Sequence, residues 1–233
     1  MHRAGAPPTE TSTRMTEIWF IRHGETDWNV ARRMQGWQDI DLNDTGRAQA
    51  GLLAARLARD AATTPFDALY SSDLARARDT AQAVSEQLAL RLRIEPGVRE
   101  RSFGVLEGID LEKIDALQPE AAAAWKSRDP QRPLAGGESL GQFRNRVISA
   151  VEDVANRHHG ERVLLFTHGG VLDIVWRHAS GLPLEAPREV ELRNVGINRV
   201  VVAADGWRIA GWGDVAHTEA EVAARDDASV LGR

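Results

Sequence analysis

Apolar residues along this chain fall into two kinds of pattern. An unbroken run over residues 18–21 and another over 162–166, apolar after Arg162, read as buried strands, with shorter, interrupted strand patterns over 66–70 and 91–94. Between them, apolar side chains return every three or four positions. Ala50, Leu53, Ala54, Leu57 and Ala58 make one helical stripe behind a capping Asn43. Leu74, Ala77, Ala81, Val84 and Leu88 make a second, with Ser71-Ser72-Asp73 expected as its cap. Leu140, Phe143, Val147, Val151 and Val154 make a third, opened by the capping box Ser139/Gln142. A helix is expected over 171–179 and a short helix or turn over 25–33. Residues 190–192, 197–203 and 207–212 read as closing strands, the last two joined as a hairpin through Asp205-Gly206.

Strands alternating with amphipathic helices predict an α/β fold, a three-layer α/β/α sandwich around a mostly parallel sheet. Residues 101–137 break this rhythm. Short helical pieces over 111–117 and 120–125 lie between Gly104, Gly108, Pro119, Pro130, Pro133 and Gly136-Gly137, so the segment reads as a lid or insertion on one domain. Residues 1–15 are polar, contain Pro7-Pro8 and lack the apolar core of a signal peptide. They read as a disordered leader, with Met15 as an alternative initiator to Met1. A single domain is expected over 16–222, with a frayed tail over 223–233.

Composition narrows the classes of function. The chain has 233 residues, of which 42% are hydrophobic and 27% charged, enough for a substantial core. A net charge of −5 gives no global basic field for nucleic acid or an anionic membrane, so any anion site must be a local pocket. No stretch reaches the ~18 apolar residues of a membrane helix. Cysteine is absent, which removes disulfides, thiolate metal sites and cysteine nucleophiles, and fits a cytoplasmic location.

Two of the apolar runs end unusually, the first in Arg22-His23-Gly24 and the other in Thr167-His168-Gly169. In open α/β sheets ligands bind beyond the carboxyl ends of the strands, where both histidines would sit. Two histidines closing buried strands with backbone hydrogen bonds is the bland alternative. Arg76, in the first turn of a helix, adds a fork of donors to a helix N-terminus and suits an anion; a solvated surface arginine is its alternative, as expected for Arg78. Asn29 is a candidate amide donor to the same anion, or else a turn residue. Glu100 is a candidate proton donor, or else a surface carboxylate beside Arg101. His158, His159 and His178 read as helix-surface residues and His217 as structural.

Taken in order, Arg22-His23-Gly24-Glu25-Thr26, Gly36-Trp37, Asp41-Leu42 with Gly46, residues 71–81, Glu100 with Gly104, and Thr167-His168-Gly169 resemble the histidine phosphatase superfamily. That group includes the cofactor-dependent phosphoglycerate mutases. The resemblance implies a phosphoglycerate mutase-like fold, with His23 as the nucleophile taking a phosphoryl group. His23 must then be neutral, with a backbone carbonyl fixing its tautomer. Arg22, Arg76 and His168 would clamp the phosphoryl oxygens, and Glu100 would protonate the leaving alcohol and then activate water. Gly24, Asn29, Gln35, Gly36 and Gly169 would complete phosphate binding, without a metal.

Classical mutases resemble this chain up to the segment between Glu100 and His168, where they carry a longer insertion with an adjacent arginine pair. Here the corresponding stretch is Trp125-Lys126-Ser127-Arg128, and Gly136-Gly137-Glu138-Ser139 resembles the phosphatase branch instead. A short lid lined by Leu111, Ile114, Leu117 and Trp125, with scattered Lys113, Lys126 and Arg128, would suit a phosphomonoester with an apolar or mixed leaving group. The expected activity is hydrolysis through a phosphohistidine without a cofactor. Mutase activity, which would need 2,3-bisphosphoglycerate, is the alternative, and a non-catalytic phosphate-binding module a distant one. The expected partner is a small phosphorylated metabolite, with no nucleic acid or membrane, in a monomer or homodimer.

Overall fold

The computed structural model describes residues 15–218; of the expected leader over 1–15, residues 1–14 lie outside the described residues, as does the expected tail over 223–233. Met15 itself is not part of a leader, because it opens strand β1 (Met15–Arg22) and pairs with Ala203. The chain continues through α1 (Asp27–Val30), α2 (Asp44–Thr63), β2 (Ala68–Ser71), α3 (Ala75–Leu88) and β3 (Leu92–Ile94). Then follow α4 (Ile114–Leu117), α5 (Pro119–Ser127), α6 (Leu140–Arg157), β4 (Arg162–Thr167) and α7 (Gly169–Ser180). β5 (Ile197–Ala203) and β6 (Gly206–Asp214) close the fold.

The six strands form one sheet in the order β3-β2-β4-β1-β5-β6. β3, β2, β4 and β1 are parallel, and β5 is antiparallel to both its neighbours, so the sheet is mostly parallel as expected. Alternation along β1 separates the two faces. Ile18 and Phe20 pack with α6 and α7 residues such as Phe143, Val147 and Val175, whereas Trp19 and Ile21 pack with Leu53, Leu57 and Val84 of α2 and α3. Chain direction explains this division. The connections β1–β2 and β2–β3 move one way along the sheet and β3–β4 moves back, so right-handed crossovers put their helices on opposite faces. A third apolar cluster of Met34, Leu106, Ile114, Ala122 and Leu134 gives the 101–137 segment a small core of its own.

Three local expectations fail. Ser72 does not cap α3: the cap position is Leu74, without a side-chain cap bond, and the Ala75 amide donates to Asp39 Oδ1 at 2.6 Å. A carboxylate from a distant loop has displaced the local hydroxyl, which goes to the site instead. Residues 190–192 form no strand; the segment is irregular, and the carbonyl of Leu192 accepts from Arg22 Nη1. His158 is not a surface residue either. It is buried, its Nε2 2.9 Å from the Tyr70 hydroxyl and its Nδ1 2.5 Å from Glu161 Oε2.

Candidate active site

β1 and β4 are adjacent and parallel, with Arg22 opposite Thr167, so the residues that follow both strands emerge side by side. The His23 amide donates to the Thr167 carbonyl at 3.0 Å, and the rings of His23 and His168 lie 5.3 Å apart. A sheet thus brings together two histidines that are far apart in sequence.

His23 is 3% exposed, and its Nδ1 lies 2.7 Å from the carbonyl of Gly24. That contact requires the proton on Nδ1 and leaves the Nε2 lone pair available. Burial, then Arg76 and Arg22, hold its pKa well below 6.5 despite the Gly24 carbonyl, so the ring is neutral. His168 is also held well below 6.5, by burial and then by Arg76, His23 and Arg22.

The arginines are fixed by carbonyls. Arg76, 1% exposed, donates from Nη1 to Gln38 O and from Nη2 to Gly36 O, both at 2.8 Å. Arg22 donates from Nη1 to Leu192 O. Burial lowers both pKa values, that of Arg76 to about 10, while Glu100 opposes the shift, and both stay charged near neutrality. Arg22 Nε, Arg76 Nε, His168 Nδ1 and Gln35 Oε1 are buried and have no hydrogen-bond partner among the described residues. His168 Nε2 is held by Ser72 Oγ at 2.9 Å, so the free Nδ1 can present only one thing at a time: a lone pair or an N–H. Two guanidinium N–H groups and an imidazole without protein acceptors form a donor set that fits an oxyanion.

Glu100 occupies the other side. Its Oε2 accepts from the Gly170 amide at 2.9 Å and its Oε1 from the Arg101 amide at 2.8 Å. Its carbonyl accepts from Trp37 Nε1 at 2.7 Å and Arg146 Nη2 at 3.1 Å, which fixes the backbone as well. Arg146 in turn makes a two-point ion pair with Glu138. Asn29 Oδ1 accepts from the Thr26 amide and hydroxyl in the capping box of α1, leaving its NH2 end for a ligand. The Gly169 amide, at the start of the 12-residue α7, has no acceptor among the described residues.

Arg22, His23, Asn29, Gln35, Gly36, Arg76, Glu100 and Gly169 all line one cavity of about 370 Å³. Gly24 does not line it. Its amide donates to Thr80 Oγ1 at 3.0 Å, and a Cβ there would lie 2.6 Å from the Gly46 carbonyl. Gly24 positions His23 through its carbonyl, and its amide, expected at the phosphate, is engaged by Thr80 here. The expected lid lining is also revised. Leu111 and Trp125 face the cavity with Trp28, Phe103 and Leu192, but Ile114 is in the third core and Leu117 is exposed. Lys113 and Lys126 pair with Asp110 and Asp115, and Arg128 reaches Leu184 O and Asp173. None of these three cations lines the cavity.

Sequence reading missed two supporting residues. Asn194 Nδ2 donates to the His23 carbonyl at 2.8 Å, and Thr80 Oγ1, which accepts from Gly24, donates to the Arg76 carbonyl at 2.7 Å. Thr80 lies within the 71–81 motif, but the sequence assigned neither residue a role, since each acts on a residue far away in the chain.

Comparisons with known proteins identify the family. A family model described as the histidine phosphatase superfamily (branch 1) matches residues 18–215. The chain is 38% identical over 210 residues to a metal-independent phosphoserine phosphatase of Arabidopsis thaliana, covering 89% of this chain and 85% of that protein. It is 37% identical over 207 residues to phosphoglycerate mutase-like protein 4 of the same plant, covering 87% of each. Among solved structures, a mycobacterial glucosyl-3-phosphoglycerate phosphatase in complex with VO3 is similar with a TM-score of 0.74 at 30% identity, covering 84% of this chain and 98% of that one.

Proposed function

We propose, for a chain that belongs to the histidine phosphatase superfamily, a phosphomonoesterase that works through a phosphohistidine on His23. The observation that carries this reading is a neutral, buried imidazole whose Nε2 is available beside unpartnered donors on Arg22 and Arg76, with Glu100 in the same cavity. Nε2 attacks phosphorus, the ester P–O bond breaks, and Glu100 gives its proton to the departing alkoxide. A water then attacks phosphohistidine and passes a proton to Glu100 as the P–N bond breaks and phosphate leaves. Arg22, Arg76 and His168 hold the three phosphoryl oxygens throughout, with Asn29 and the Gly169 amide assisting. In a loose phosphoryl-transfer transition state, such fixed charge supplies most of the catalysis. The guanidinium groups perform the charge stabilisation that a metal ion performs elsewhere, and one relative is itself named a metal-independent phosphatase.

Hydrolysis is favoured over mutase chemistry by the fate of Arg128. It lies where classical mutases resemble this chain but carry an arginine pair, and here it is bound to Leu184 O and Asp173 outside the cavity. Mutase activity is kept as the second reading because one relative is named phosphoglycerate mutase-like. Residues 16–222 form one domain in this reading, with 101–137 as its lid, acting on a small phosphorylated metabolite as a monomer or homodimer. The absence of cysteine suits a cytoplasmic protein; among the described residues no helix is long and apolar enough to cross a membrane.

The test is phosphate release across a panel of phosphomonoesters, run beside a mutase assay supplied with 2,3-bisphosphoglycerate. Release of phosphate should exceed transfer between hydroxyls. His23→Ala should lower turnover by roughly 10³-fold or more and abolish acid-labile phosphoenzyme. A variant that keeps substantial turnover overturns the mechanism, and faster transfer than release selects the mutase.

A further inference from the structure

Arg188 has no part in the mechanism above, yet it lines the same cavity. It lies in the irregular segment between α7 and β5 that also supplies Leu192 and Asn194 to hold Arg22 and His23. Its Nε donates to Asp173 Oδ1 at 3.3 Å, whereas neither Nη has a hydrogen-bond partner among the described residues. Asp173 is 4% exposed and is shared by three guanidinium groups. Arg177 Nε reaches it at 3.0 Å and Arg128 Nη2 at 3.1 Å, in addition to Arg188.

One carboxylate cannot neutralise three cations, so the cluster keeps a surplus of positive charge. Of the three, Arg188 alone lines the cavity, with a half-exposed side chain anchored at one nitrogen and two donor groups left over. Arg32 and Arg33 also line the cavity, but they pair with Glu112 at 3.6 Å and Asp110 at 2.7 Å. Arg188 also stands near enough to Arg22 for its charge to depress the Arg22 pKa, behind the larger effect of burial. A ligand with negative charge at two points would relieve that repulsion, whereas the phosphoryl group already has Arg22, Arg76 and His168.

We propose that Arg188 reads a second anionic group on the substrate, so that the preferred phosphomonoester carries a carboxylate or a second phosphate on its leaving portion. This rests on the phosphomonoesterase reading and adds the substrate class to it. A planar guanidinium with a fixed anchor and two free Nη groups suits either oxyanion, and a neutral leaving group would leave it without a partner.

Matched substrate pairs test this. O-phosphoserine and phosphoethanolamine differ by a carboxylate, and fructose 1,6-bisphosphate and fructose 6-phosphate by a second phosphate. The wild-type enzyme should prefer the more anionic member of at least one pair in kcat/KM, and the preferred pair identifies the group. Arg188→Gln should reduce that ratio by roughly 10- to 100-fold, the range for hydrogen bonds to charged groups, and Arg188→Lys should restore part of it. A ratio unchanged by Arg188→Gln, or a wild type with no preference in either pair, overturns the assignment of Arg188. p-Nitrophenyl phosphate separates the two levels of inference. If the wild type hydrolyses it while the pairs show no Arg188 dependence, the phosphatase reading stands and this one falls. If the wild type releases phosphate from none of these esters, both fall.

Discussion

The amide of Gly170 donates to Glu100 Oε2 at 2.9 Å, so the first turn of α7 fixes a carboxylate 70 residues earlier in the chain. The same closeness leaves no room for a side chain: a Cβ on Gly170 would lie 2.0 Å from Glu100 Oε1. Gly170→Ala should therefore push the carboxylate aside while helix propensity favours the alanine. Turnover of alkyl phosphates should fall by roughly 10²-fold, and that of aryl phosphates by less, because a good leaving group needs little protonation. Glu100→Gln should show the same ordering. Equal losses on both ester types would remove Glu100 from the role of proton donor.

Asn194 holds the carbonyl of His23 at 2.8 Å and reaches the site from a loop that precedes β5. In Asn194→Ala that carbonyl loses a donor, which costs about 1 kcal/mol of stability and loosens the nucleophile. The expected result is a kcat reduced roughly tenfold with a smaller change in KM. A change confined to the denaturation midpoint would make Asn194 purely structural.

The buried histidines predict how stability depends on pH. In the folded protein His23 and His168 bind protons well below 6.5, whereas the unfolded chain binds them at the ordinary value. The unfolded state thus holds more protons below about pH 6.5. Stability from this source is fully present above that pH and declines as the pH falls towards the depressed folded values. Urea midpoints should drop between about pH 6.5 and 5, with a shallower slope in His168→Gln. For the same reason, protonation of His23 should produce no acidic limb near pH 6.5 in kcat/KM.

The proposed charge stabilisation by Arg22 and Arg76 predicts a reaction independent of divalent ions. Incubation with EDTA followed by assay in chelator should leave phosphate release unchanged. Arg76→Ala should reduce it by roughly 10²-fold or more. Restoration of a chelated enzyme by added magnesium or zinc would contradict the mechanism.

Elements governed by near neighbours were legible in the sequence. The Ser139/Gln142 capping box forms as read, with Ser139 accepting from the Gln142 amide and Gln142 from that of Ser139. Asn43 caps α2, and the apolar stripe of α6 is buried, as is that of α2 except for the half-buried Ala58. These depend on side-chain period and on bonds that span a few residues. The residue types at the strand ends, His23 and His168, likewise announced chemistry before any coordinates, and the ordered motifs pointed to the family.

The tertiary structure alone decided which of those residues meet and what holds them. Asp39, 36 positions away, took the cap that Ser72 was expected to supply, and left Ser72 for His168. Gly24 does not line the cavity, and its amide goes to Thr80, 56 positions on. Asn194 and Arg188 gain their places only when the segment before β5 folds back over β1. Such choices are settled by competition among polar groups far apart in sequence for the same buried partner, and periodicity holds no record of that competition.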